Sequence, residues 1–176
     1  MSALARHIPL DEYLHNSAYK HCEYVSGEVV ELNLGTGRHS RLQTRCWSIL
    51  DRALHESKLG CAYVEVHCRL NIAGEIRYRL PDVCVKLGSF IEGYMEGAPD
   101  LCVEVRSPED SIAGQIGKFD DYFANGCRLG WLILPEQRQV RVLRPGQSAQ
   151  TAGFHDSIDA APVLPALCVP VSDLFA

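Results

Sequence analysis

Two short apolar runs, each carrying one carboxylate, constrain this chain more than any other feature. In Pro81-Asp82-Val83-Cys84-Val85 the acid opens a strand-like run, and in Leu101-Cys102-Val103-Glu104-Val105 it sits in the middle of one. Strand alternation puts Val83 and Val85 on one face and Asp82 and Cys84 on the other. It likewise opposes Val103 and Val105 to Cys102, Glu104 and Arg106. If the two strands are neighbours, Asp82 and Glu104 face the same side of a sheet. Carboxylates brought together in a partly apolar place repel and resist desolvation. A hard divalent cation resolves that conflict. Mg2+, with Mn2+ as its substitute, takes one or two carboxylates and fills its remaining positions with water and substrate oxygens.

Lys118 completes the group, because it lies on the helix expected directly after the Glu104 strand. From there a lysine could orient or deprotonate a metal-bound water and offset developing phosphate charge. Each residue also has a plainer reading. Asp82 could be a turn acid, Glu104 a structural partner of Arg106 or Lys118, and Lys118 a solvated helix lysine. The combination carries the catalytic reading of Asp82, Glu104 and Lys118.

The surrounding pattern predicts an α/β domain. A short helix is expected over Leu10 to Asn16, then a hairpin over Cys22 to Leu34 turning at Ser26-Gly27. Leu42, Cys46, Ile49, Leu50, Ala53 and Leu54 form one apolar stripe on a helix from about Arg38 to Ser57, with Arg38, Arg41 and Arg45 on its polar side. Cys61 to Asn71 and Ile76 to Lys86 read as a long hairpin, in which Pro81 implies an edge, a bulge or a register break. Gly88 to Asp100 reads as irregular. A strand over Leu101 to Arg106 leads into a helix from about Asp110 to Asn125, with Ile112, Ile116, Phe119 and Phe123 on one face. Gly130 to Leu134 and Gln139 to Leu143 form a further hairpin, and short strands close the chain.

Composition narrows the function classes. The chain has 176 residues, 47% hydrophobic and 22% charged, so one domain with a real core is expected over residues 1–176. No run approaches a membrane span, and Met1 to Leu10 lacks the pattern of a secretion signal, so a cytoplasmic protein is expected. Eight cysteines without a C-x-x-C pair read as buried reduced thiols. A zinc site mixing His21-Cys22 with His67-Cys68 lacks paired-ligand spacing. A net charge of −5 argues against a protein whose main task is to neutralise long nucleic acid, though it permits a local basic patch. Neither a G-x-S-x-G elbow nor a phosphate-binding P-loop is present. His39, after Gly35-Thr36-Gly37 at a helix start, could contact phosphate or could cap the helix.

These residues, in their order and spacing, resemble the PD-(D/E)xK nuclease superfamily, and more narrowly a group of small bacterial restriction-endonuclease-like proteins. The resemblance runs from about Leu10 to Phe175. It rests on Glu23-Tyr24-Val25-Ser26-Gly27-Glu28-Val29-Val30, His39, Pro81-Asp82-Val83, Val103-Glu104-Val105-Arg106-Ser107-Pro108, Lys118 with Tyr122 and Gly126, Gly130-Trp131-Leu132-Ile133, and Leu164-Pro165-Ala166-Leu167. It implies a central mixed sheet flanked by helices and Mg2+-dependent phosphodiester hydrolysis, with DNA or another phosphodiester as substrate. Carried over by position, Asp82 and Glu104 would be metal ligands, joined by Glu23 and the Val105 carbonyl, with Lys118 as the catalytic lysine. His39, Arg106 and Tyr122 would be substrate contacts. The superfamily's usual lysine lies two residues after the second acid, where this chain has Arg106, which stays protonated and is a poor base. In the narrower group the lysine sits on the following helix, as Lys118 does. A catalytically inactive, nuclease-derived binding module is the alternative. A homodimer is expected, since cutting both strands takes two sites and the hairpins leave free edges.

Overall fold

The architecture was obtained as a computed structural model that describes residues 7–32 and 35–176. A short helix, α1 (Leu10–His15), precedes the hairpin of β1 (Cys22–Val25) and β2 (Glu28–Glu31). Ser26 and Gly27 both carry positive φ, 54° and 84°, as a two-residue hairpin turn requires. The expected end of this hairpin, Asn33 and Leu34, lies outside the described residues. Helix α2 (Gly37–Ser57) begins at Thr36, whose hydroxyl accepts the His39 N–H at 3.2 Å. Leu42, Cys46, Leu50 and Leu54 are buried along its inner stripe.

Beyond α2 the structure corrects the sequence reading. The long hairpin is broken in both arms and shared between two sheets. Strand β3 (Gly60–Val64) pairs with β6 (Val83–Leu87), while β4 (Cys68–Ile72) pairs with β5 (Glu75–Arg79). The breaks fall at Glu65, which has φ 49°, and around Pro81, which has no amide hydrogen to donate to a ladder. Pro81 therefore marks a break in register, and β6 is an interior strand. The supposedly irregular stretch holds a two-residue strand, β7 (Met95–Glu96), parallel to β4.

The chain continues through β8 (Leu101–Val105), α3 (Ile112–Ala124), β9 (Leu129–Leu134), β10 (Gln139–Leu143) and β11 (Gln150–Ala152). It closes with β12 (Ser157–Ala160), β13 (Leu164–Pro170) and a short helix α4 (Val171–Leu174). The central sheet has the order β11-β10-β9-β8-β6-β3 and is mixed, since β8 and β9 run parallel across the α3 crossover. A five-stranded sheet, β2-β1-β5-β4-β7, and the β12–β13 pair complete the α/β domain.

The two faces of the central sheet are covered differently. Val83, Val85, Val103 and Val105 pack with α2 and α4, whereas Cys84 and Cys102 pack with Phe119 and Tyr122 of α3. The alternation read from the two acid-bearing strands is thus the observed one. Gly130 lets α3 settle closely: a Cβ there would stand 2.5 Å from the Phe119 ring. The inward face of α3 is rotated from the expected one. Gln115, Phe119, Asp121 and Tyr122 are buried, and Ile116 belongs to none of the core clusters. Seven cysteines are buried or half-buried, as the apolar runs around most of them imply, and Cys168 is exposed. No helix among the described residues is long and apolar enough to cross a membrane.

Candidate active site

The site lies where the broken hairpin passes from one sheet to the other. Val83 faces Val103 and Cys84 faces Cys102 across the antiparallel β6–β8 pair, so the same register sets Asp82 opposite Glu104. The Val105 amide donates to Asp82 Oδ2 at 2.7 Å and locks the acid over the strand end. His39 reaches the same oxygen from the start of α2, with Nε2 3.2 Å away. That carboxylate, helped by the Val105 carbonyl, raises the His39 pKa against the opposing effect of burial.

Glu104 is 2% exposed. The Tyr122 hydroxyl donates to its Oε1 at 2.8 Å, and Lys118 Nζ stands 3.5 Å from its Oε2. These partners do not offset the loss of water. Burial pushes the Glu104 carboxyl up to about 8, with Asp82 and Glu23 adding repulsion and Lys118 opposing it. Lys118 is also 3.1 Å from Glu23 Oε1, and the two acids raise its pKa despite burial. It is a fixed ammonium between two carboxylates.

Glu23 is fully buried and heavily engaged. It accepts from Arg79 at 2.7 Å and from the Leu80 amide at 3.2 Å besides meeting Lys118, and these cations hold its pKa low in spite of burial. Arg79 forks in turn onto Asp121 Oδ2, at 2.9 and 2.6 Å, and Arg77 meets Asp121 Oδ1 at 2.6 Å. This network was not anticipated. Its signal in the sequence is the Arg77-Tyr78-Arg79 alternation, which puts two arginines on one strand face, and Asp121 one helical turn beyond Lys118.

A cleft of about 380 Å³ opens onto these groups, lined among others by Glu23, His39, Asp82, Glu104, Val105 and Lys118. Gln43, Asp110 and Gln115 join its wall and were missed because none sits in a distinctive local pattern. Two of the sequence-derived candidates lie elsewhere. Tyr122 is completely buried behind Glu104, so it positions that carboxylate and does not face the cleft. Arg106 bonds the Asp110 carbonyl and Glu136, and lines a neighbouring cavity that shares His39 and Ser107 with the cleft.

Among the described residues no three His, Cys, Asp or Glu side chains gather to hold a metal ion, which disfavours a closed zinc-type cage. Asp82, Glu104 and the Val105 carbonyl offer oxygen donors only, and the ionised form of Glu104 is one its neighbours leave undercompensated. That combination fits Mg2+, which keeps most of its positions for water and substrate. Glu23 has its oxygens taken up by Arg79, Leu80 and Lys118, so it suits holding the lysine better than holding metal.

Comparison with known proteins adds three findings. A family model, Uma2, described as "Putative restriction endonuclease", matches residues 10–172, which include the whole site. The crystal structure of a putative nuclease belonging to DUF820 from Anabaena variabilis superposes with a TM-score of 0.83 at 24% identity, covering 96% of this chain and 97% of that one. At that identity the likeness speaks to the fold. No curated protein matches the chain.

Proposed function

The chain belongs to the Uma2 restriction-endonuclease family, and on that premise we propose that its cleft hydrolyses phosphodiester bonds with the help of Mg2+, DNA being the natural class of substrate. The observation that carries this reading is a buried Glu104 set opposite Asp82, with a lysine ammonium 3.5 Å away at the floor of an open cleft. When bound at Asp82 and Glu104, the cation supplies Lewis-acid stabilisation of the charge that builds on the phosphoryl group.

The chain's own residues divide the remaining work. Lys118 is held protonated by Glu23 and Glu104, so it supplies fixed positive charge and a hydrogen bond to the attacking water or the phosphate, and it does not take up a proton. Glu23, Arg79 and Asp121 fix that ammonium, because each opposite charge in the series is held by the next. Tyr122 aims Glu104, and the Val105 amide aims Asp82. His39 stands beside Asp82 at the cleft wall, where a protonated imidazole meets a phosphate oxygen.

One observation favours the inactive-module alternative: Lys118 already bridges Glu23 and Glu104 in a closed ion-pair network. Calorimetric titration of Mg2+ and Mn2+ into wild type and Asp82→Ala decides between the two. Binding that disappears in the variant, together with cleavage of a DNA substrate by the wild type, is the expected outcome. A folded wild type with no metal affinity leaves the binding module as the better account.

A further inference from the structure

We propose that the cleft continues on one side into an arginine track that holds the phosphate backbone of a polynucleotide flanking the scissile bond. The inference rests on the nuclease reading and extends it to residues outside the carboxylate–lysine site. Three cavities lie next to one another, neighbours in the series sharing lining residues. The active cleft shares His39 and Ser107 with a cavity of about 280 Å³, which in turn shares Arg38, Pro135 and Glu136 with another of about 310 Å³. Arg106 and Arg38 line the first of these extensions, and Arg38, Arg41 and Arg138 the second. Glu136 is the acid among them, and it is paired with Arg106 at 3.0 Å.

The charge of this groove stands against the rest of the molecule. The chain has 17 Lys and Arg against 22 Asp and Glu, so four arginines with one acid is a local reversal. Arg69, Arg77, Arg79, Arg106, Arg128 and Arg144 each meet a side-chain carboxylate. Among the described residues Arg38 and Arg138 meet none within ion-pair distance. Arg41 is engaged by the main-chain oxygen of Ala176 at 2.8 Å, which leaves Arg38 and Arg138 as the two uncommitted charges of the track, Arg138 lying 3.5 Å over the Phe154 ring. Arg52, on the outer part of α2, shares this freedom but lines none of the three cavities.

A regular series of phosphates is the partner that suits spaced, positioned guanidinium groups leading out of a phosphodiester site. The exposed Glu31 and Glu65 line the active cleft and neither of the two extensions, so the extensions are the part of this surface that favours a polyanion. A single phosphate ester would have no use for the track.

The test is fluorescence anisotropy of a labelled DNA oligonucleotide across a salt series, with Ca2+ in place of Mg2+ so that the probe stays intact. Wild type is compared with Arg38→Ala/Arg138→Gln and with Arg52→Ala as an off-track control, each confirmed folded by thermal melting. The track predicts that log K against log [salt] flattens by about 1.5–2 in the double variant, because two phosphates are no longer neutralised, and stays unchanged in Arg52→Ala. Equal slopes in wild type and double variant, an equal flattening in Arg52→Ala, or no binding by wild type would each overturn it. Hydrolysis of bis(p-nitrophenyl) phosphate by wild type is measured alongside. That substrate is too small to reach the track, so it reports on the carboxylate–lysine site alone and separates failure of one from failure of the other.

Discussion

Replacing Glu104 by glutamine should make the metal-free protein more stable in mild alkali while abolishing metal binding. The Glu104 carboxyl titrates near 8 in the fold against 4.5 for an exposed glutamate, because its burial is incompletely offset by Lys118 and Tyr122. The folded state therefore holds this proton more tightly than the unfolded chain does. As pH rises above about 4.5 the unfolded state loses the proton first, stability falls, and the loss is complete once pH passes about 8. At 1.36 kcal/mol per pH unit the full effect is about 5 kcal/mol, an upper figure because water can enter a relaxed site.

Glutamine keeps the shape and can still accept from Tyr122, but it carries no charge to desolvate. Urea unfolding with chelator, from pH 5 to pH 9, should give a wild-type curve that falls relative to that of Glu104→Gln, with a gap opening by roughly 2–5 kcal/mol at pH 9. His39 has a raised pKa too, so its contribution is present below 6.5 and is lost as pH rises through its folded value. Its main cause, the Asp82 carboxylate, is kept in the variant, so most of this contribution cancels in the difference and only the share due to Glu104 does not. Adding Mg2+ at pH 9 should restore stability to wild type, following RT ln(1 + [L]/Kd), and give nothing to the variant. Parallel curves over the whole range would refute the reasoning, since Glu104 would then ionise as an ordinary glutamate.

Other outcomes follow from the same geometry. Lys118→Met should abolish phosphodiester cleavage and cost roughly 3–5 kcal/mol, because Glu23 and Glu104 lose the cation between them; activity assays and denaturation midpoints check both parts. Gly130→Ala should destabilise by about 1–3 kcal/mol, since the new methyl group meets the Phe119 ring, and a matching loss of activity would show that α3 carries Lys118 with it. With a thiol-specific reagent under native conditions, Cys168 should react first and Cys61 more slowly, the other six only on unfolding, as mass spectrometry of the labelled peptides would report.

Much of the fold could be read in the sequence wherever one face of an element is apolar and the other is not. The stripe from Leu42 to Leu54 specified α2, and the valines of β6 and β8 specified which way Asp82 and Glu104 point, because side-chain periodicity is local and survives without knowledge of neighbours. The turn at Ser26-Gly27 was equally local. What the chain alone did not disclose depends on pairing between distant segments. The long hairpin looked continuous, since nothing in Val64 to Cys68 says that its two ends join different sheets; only the packing of β4 against α3 and of β3 against α2 decides that. The interior polarity of α3 was hidden for the same reason. Gln115 and Asp121 carry no signal along the chain, and Lys118 alone was legible as a site residue, until Glu23, Arg77, Arg79 and Glu104 arrive from three separate strands and Asp110 from the preceding turn to satisfy them. A buried charge is tolerated only where such partners converge. The sequence thus determined the elements and the acids they carry, while tertiary structure decided which charges meet, because electrostatic pairing acts through space and leaves no period along the chain.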